Sequence, residues 1–308
     1  MKIMKNSMTT LMSALLFGLL LNISCKAQQV TRNIVATDAK LTLVADTFEF
    51  TEGPASDKNG DVYFTDQPNN RIVKWNSKNN TVTDYMKPAG RSNGLYIDHD
   101  GNLLAAADEK NELWRIDKNK EVTVLLKDFK HKKFNGPNDL WVDKSGGIYF
   151  TDPFYKRPWW KHTEPEQSAR RVYYLEPNGS SPRFVIDDNY EQPNGIIGSA
   201  DGKTLYVSDN GAKKTYVYTI EKDGSLSNKK LFADMGSDGM TVDNLGNVYL
   251  TGDGVTVFNS KGEKIEHIAV PEKWTANVTF AGPDQNILFI TAMDSVYTLE
   301  MAVNGVRW

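Results

Sequence analysis

The sequence predicts an all-β fold, a six-bladed β-propeller. Three observations predict it. One hairpin unit recurs six times, successive copies lie about 40 to 56 residues apart, and no amphipathic helical stretch interrupts them. That spacing matches one four-stranded blade. Units that cannot bury both faces alone close into a ring, whereas a sandwich has no need of the same unit six times.

The first five copies are "ASDKNGDVYFTD" (55–66), "YIDHDGNLLAAAD" (96–108), "WVDKSGGIYFTD" (141–152), "IGSADGKTLYVSD" (197–209) and "TVDNLGNVYLTGD" (241–253). A looser sixth is "FAGPDQNILFITAMD" (280–294). Each pairs an apolar run with a second across a polar turn, where glycine supplies the positive φ of a tight hairpin. A third apolar alternation usually follows, as in "RIVKW", "ELWRI" and "TYVYTI". Asp66, Asp108, Asp152 and Asp209 end second strands, where loop capping is their expected task.

The chain divides into residues 1–27, a leader, and 28–308, a single propeller domain. Lys2 and Lys5 precede the apolar run Leu11 to Leu21, which is short for a bilayer span and laid out like a secretory signal. Two processing readings compete. "CKA" (25–27) resembles an A-x-A cleavage site, whereas "LNISC" resembles a lipobox that would leave Cys25 lipidated at a membrane. Either predicts export, to the periplasm or beyond. Cys25 is the single cysteine, so the folded body has neither disulfide nor thiolate chemistry. A net charge of -3 without long basic runs argues against nucleic acid as a partner.

Eight residues before each turn stand Glu52, Asn93, Asn138, Asn194, Asp238 and Asn277. All carry a carboxylate or carboxamide where the chain enters the first strand, the innermost in a propeller. Six such positions converge on one end of the central channel. Glu52, Asn138, Asn194 and Asp238 offer two negative charges and at least four oxygens. That set suits a hard divalent cation, Ca²⁺ first, with Mg²⁺, Mn²⁺ or Zn²⁺ as rivals. His99, His131, His162 and His267 are scattered and form no H-x-x-x-H pair, which argues against a dedicated zinc site.

"TEGPA", "GPNDL", "QPNGI" and "SDGM", in this order and spacing, resemble the SMP-30/gluconolactonase (regucalcin-like) family. The resemblance runs from about Leu41 to the C-terminus. It implies a six-bladed propeller that hydrolyses lactones or related esters with a central divalent metal. The family's metal-binding Glu then falls on Glu52, its two Asn ligands on Asn138 and Asn194, and its ligand and general base on Asp238. Asp139 either braces these ligands or caps its own strand. No G-x-S-x-G elbow is present, against serine-hydrolase chemistry.

Blade three carries a long segment after its second strand, "FYKRPWWKHTEPEQSARR" (154–171), which topology brings out beside the ring. Tyr155, Arg157, Trp159, Trp160 and His162 are placed to wall a sugar-like ring, or to pack on the blade edge. Candidate substrate contacts are Asn93, Asn138, Asn277, Arg157, Trp159 and His162. The expected activity is metal-dependent opening of a sugar-derived lactone. A phosphotriesterase or arylesterase on the same metal site is one rival. A non-catalytic propeller that binds carbohydrate or protein around a structural ion is the other.

Overall fold

A computed structural model of the protein describes residues 33–185 and 190–306; the leader and Cys25 lie outside the described residues. The described strands form six four-stranded antiparallel sheets, and no helix occurs among them. Five sheets are consecutive in sequence. The sixth takes its three inner strands from Thr275–Glu300 and its outermost from Thr42–Ala45. Thr42 pairs with Thr298 and Leu43 with Tyr297, so the two ends of the chain share one blade and close the ring.

The turns repeat in chemistry as well as in sequence. Asp57 accepts the N–H groups of Asn59 and Asp61, and Asp143 and Asp243 do the same for their own turns. The glycine three residues later takes a left-handed φ, +82° at Gly60 and +91° at Gly146. In the sixth copy Gln285 adopts this conformation at +55°, which explains why that copy is loose without being lost.

The first strand of each blade is innermost, and neighbouring inner strands pack in ring order around the channel. Apolar side chains of the first three strands fill the spaces between blades. Between blades three and four, fully buried Trp141 stacks near Tyr149 at 5.7 Å and lies across Gly198. A Cβ at Gly198 would sit 2.0 Å from the Trp141 ring. Interiors packed to crystal density do not absorb such an overlap without moving neighbours. We therefore expect Gly198→Ala to lower unfolding stability by about 1–3 kcal/mol. Urea denaturation followed by circular dichroism measures this.

Candidate metal centre

Each inner strand breaks its ladder where the ring residue stands. Register shifts fall between Glu52 and Ala55, Ser92 and Leu95, Pro193 and Ile196, and Thr275 and Asn277. In blades three and five regular pairing begins only at Leu140 and Met240, two residues past Asn138 and Asp238. The breaks release these side chains from sheet alternation. Glycine follows the ring residue in four blades and lets adjacent inner strands approach. A Cβ at Gly53 would lie 2.2 Å from the Asn93 carbonyl oxygen, and one at Gly239 would lie 1.9 Å from Asn277 Cγ.

The loops leading into the ring are held from behind. Asp152 accepts the Asn135 and Gly136 N–H groups at 3.0 and 2.9 Å, and Asp209 accepts those of Glu191 and Gln192 at 2.9 and 2.7 Å. Asp66 receives Glu49 and Phe50 in the same way. All three clamp the positions two and three residues before the ring. Asp108, one residue beyond the end of its strand, binds Arg157 Nε at 2.7 Å and Gln67 Nε2 at 3.1 Å instead.

Four of the six inward residues meet through hydrogen bonds. Asn194 Nδ2 donates to Asp238 Oδ1 at 2.6 Å and to the Tyr155 hydroxyl at 3.0 Å. Asp238 Oδ2 accepts Trp274 Nε1 at 2.6 Å. Glu52 Oε2 accepts Gly53 N–H at 2.9 Å and Asn277 Nδ2 at 3.3 Å. Asn93 and Asn138 are buried, and their side chains make no hydrogen bond with other described residues. Asn277 Oδ1 accepts Val278 N–H while its Nδ2 donates to Glu52, so its amide links its own strand to Glu52. Asp139 caps its own strand and lies near Glu52. Its Oδ1 caps Leu140 N–H, and its buried carboxyl stands close enough to raise the proton affinity of Glu52.

The segment 154–171 contributes unequally. Tyr155 reaches the ring, and Arg157 lies near enough for its charge to favour ionised Asp238. Trp159 sits between the guanidinium groups of Arg91 and Arg157, at 4.6 and 5.7 Å. His162 stacks on Trp160, whose indole N–H donates to the Asp108 carbonyl. No hydrogen bond or ring contact joins Trp159 or His162 to the six inward residues. Trp274, which sequence analysis passed over, touches Asp238. It stands in an unrepeated loop, so no periodic signal marked it.

The electrostatics are those of a cation site. Burial, then the charge of Asp238, raises the Glu52 carboxyl well above its ordinary range. Burial likewise pushes Asp238 up to about 6, against the hydrogen bonds from Trp274 and Asn194, and Asp139 to about 7. Asn194 Oδ1 is buried without a hydrogen-bond partner. An orphaned oxygen beside two strained carboxylates is the donor set that a divalent ion satisfies. Among the described residues no three His, Cys, Asp or Glu side chains gather as a metal-ligand cluster.

The raised carboxyls fix a pH dependence for protein stripped of divalent ions. Unfolded, these groups ionise near pH 4; folded, Asp238 keeps its proton to about 6. Between those values the folded state binds more protons, so stability falls as pH rises. The melting temperature in EDTA should drop by about 2–4 °C per kcal/mol lost on going from pH 5 to pH 7.5. Asp238→Asn, which removes one titrating group, should flatten that drop in differential scanning calorimetry.

A model of the SMP-30/Gluconolactonase/LRE-like region matches residues 50–294. The chain is 29% identical over 303 residues to a gluconolactonase of Zymomonas mobilis, covering 88% of this chain and 84% of that protein. It is 26% identical over 296 residues to the diisopropyl-fluorophosphatase of Loligo vulgaris, covering 86% and 93%. A solved gluconolactonase structure from Xanthomonas campestris superposes with a TM-score of 0.81 at 30% identity, over 87% of this chain and 91% of that one.

Proposed function

The chain belongs to the SMP-30/gluconolactonase/LRE-like family, and from that premise we propose that it is a divalent-metal-dependent lactonase acting on a sugar-derived lactone. The observation that carries the reading is the buried, unpartnered Asn194 Oδ1 beside Asp238, with Glu52 electrostatically linked to the same point. Relatives named as gluconolactonases support the reaction class. Glu52, Asn138, Asn194 and Asp238 would hold the ion, and an all-oxygen set favours Ca²⁺ over Zn²⁺. The leader-like first 27 residues support action outside the cytoplasm.

A bound divalent ion supplies Lewis acidity at the lactone carbonyl oxygen. Asp238 takes a proton from the attacking water, the task of a carboxylate held beside the reacting carbonyl. Trp274 and Asn194 hold its two oxygens and fix its orientation. Water adds to the carbonyl carbon, the acyl–oxygen bond breaks, and the ring oxygen leaves as an alcohol with the proton that Asp238 returns. Burial and the Asp238 charge push the Tyr155 phenol up to about 12, so it stays protonated and able to donate to substrate.

Removal of divalent ions with a chelator should abolish turnover of glucono-δ-lactone, followed by proton release, and Ca²⁺ should restore it. Glu52→Gln and Asp238→Asn should each reduce kcat/KM about a hundred- to a thousandfold with circular dichroism unchanged. Full activity of either variant in chelator would refute the reading. The diisopropyl-fluorophosphatase relative favours a second reading, hydrolysis at phosphorus on the same groups. A fluorophosphate assayed beside the lactones decides between them by kcat/KM.

A further inference from the structure

Outside the ring, a cleft of about 480 Å³ opens between Tyr155 and Trp274. Its two aromatic walls hold ring residues, Tyr155 through Asn194 and Trp274 through Asp238. None of the six inward residues lines the cleft itself. A lactone with its carbonyl at Asp238 and Asn194 therefore occupies the ring end and leaves this space to whatever the lactone carries. Cavities of this size suit ligands larger than one small ring.

The repeats reveal how the space arises. At the end of the second strand, blades one, three and four have the clamping Asp66, Asp152 and Asp209, blades two and six have Ala107 and Ala292, and blade five has Gly252, which lacks even a Cβ. A Cβ on Gly252 would point toward Met235 Cε at 3.8 Å and the Trp274 ring at 3.9 Å, both cleft residues. The left-handed turn position filled by Asn70 and Asn111 in blades one and two is Lys213 in blade four, at φ +53°. Asparagine tolerates that conformation better than lysine does. The departure sets an exposed ammonium at the rim of the cleft.

The polar lining is incomplete on its own. Gln192 Nε2 donates to the Phe154 carbonyl, while its Oε1 is buried without a partner. An unsatisfied buried acceptor is unfavourable unless a donor reaches it. With Asn210 and Lys213, it offers both acceptors and donors between aromatic faces. A hydroxylated ring uses both the aromatic faces and the amide and ammonium groups of that lining, whereas an alkyl chain uses the apolar part alone. Building on the lactonase reading above, we propose that this cleft is a subsite for a second sugar ring. The favoured substrate class is then an aldonolactone bearing a glycosidically linked sugar.

The test compares initial rates of the Ca²⁺-loaded protein on cellobiono-δ-lactone, glucono-δ-lactone and δ-decalactone. The disaccharide lactone should lead glucono-δ-lactone by about tenfold or more in kcat/KM. Gly252→Leu should bring that ratio close to one. Because Gly252 has a φ of +152°, which can strain a side chain, Lys213→Ala serves as an independent variant expected to lower the ratio several-fold. Cellobiitol, which cannot be hydrolysed, should bind by calorimetry and lose that binding in both variants, so the subsite is tested apart from catalysis. Turnover of glucono-δ-lactone without a disaccharide preference, or a lead for δ-decalactone, overturns the subsite and leaves the lactonase reading standing. Cellobiitol binding without turnover of any lactone overturns the lactonase reading instead.

Discussion

Two carboxylates, Glu52 and Asp238, come from blades one and five and face one low-dielectric channel. Their enclosure raises the proton affinity of both. Left to themselves they oppose folding, because burying like charges costs more than it returns. Everything around them answers that cost. Gly53 and Asn277 donate to Glu52, and Trp274 and Asn194 donate to Asp238. A fold that evolved only to be stable would carry amides at both places. The arrangement makes sense as stability traded for affinity toward a positive partner.

The propeller makes that trade tolerable by spreading it. Asp66, Asp152 and Asp209 pin the loops that feed the ring through charge-assisted bonds to paired backbone N–H groups. The glycines after the ring residues bring adjacent inner strands within contact. Thr42–Ala45 completes the last blade and prevents the ring from opening at its seam. Position in the channel is thus set by backbone held at several points. Side-chain flexibility has little part in it, as a preorganised site requires.

Much of this was legible in the sequence because a propeller repeats. The turn that ends in glycine has a fixed geometry, and counting back from it locates the inward residue in every blade, even where Ser199 replaces its first Asp or Gln285 its glycine. The offset gives a position along the strand but not the partner met there. Asn277 obeys the count and nevertheless turns to Glu52 and its own Val278, a choice made by packing against Gly239. Trp274 belongs to a loop that differs from blade to blade, so periodicity is silent about it. The aromatics of 154–171 were visible as a group. Which of them faces the ring was decided by Asp108, free to hold Arg157 because it stands one residue past the clamping position.

In a ring of equivalent units, function must break the symmetry, and the breaks are therefore informative. Four inward positions carry amides and two carry acids, which makes the centre acidic. Blade three adds a segment whose Tyr155 touches the ring. Blade five has Gly252 where every other blade has a Cβ, and blade four places lysine where two sister blades have asparagine. The last three changes fall on one face of the molecule. All three, with Trp274, border one cleft beside Asp238. Departures scattered by drift would not converge on the one side where a substrate can approach both the acid and its neighbouring amide, so their clustering is itself a physical argument for a binding surface there.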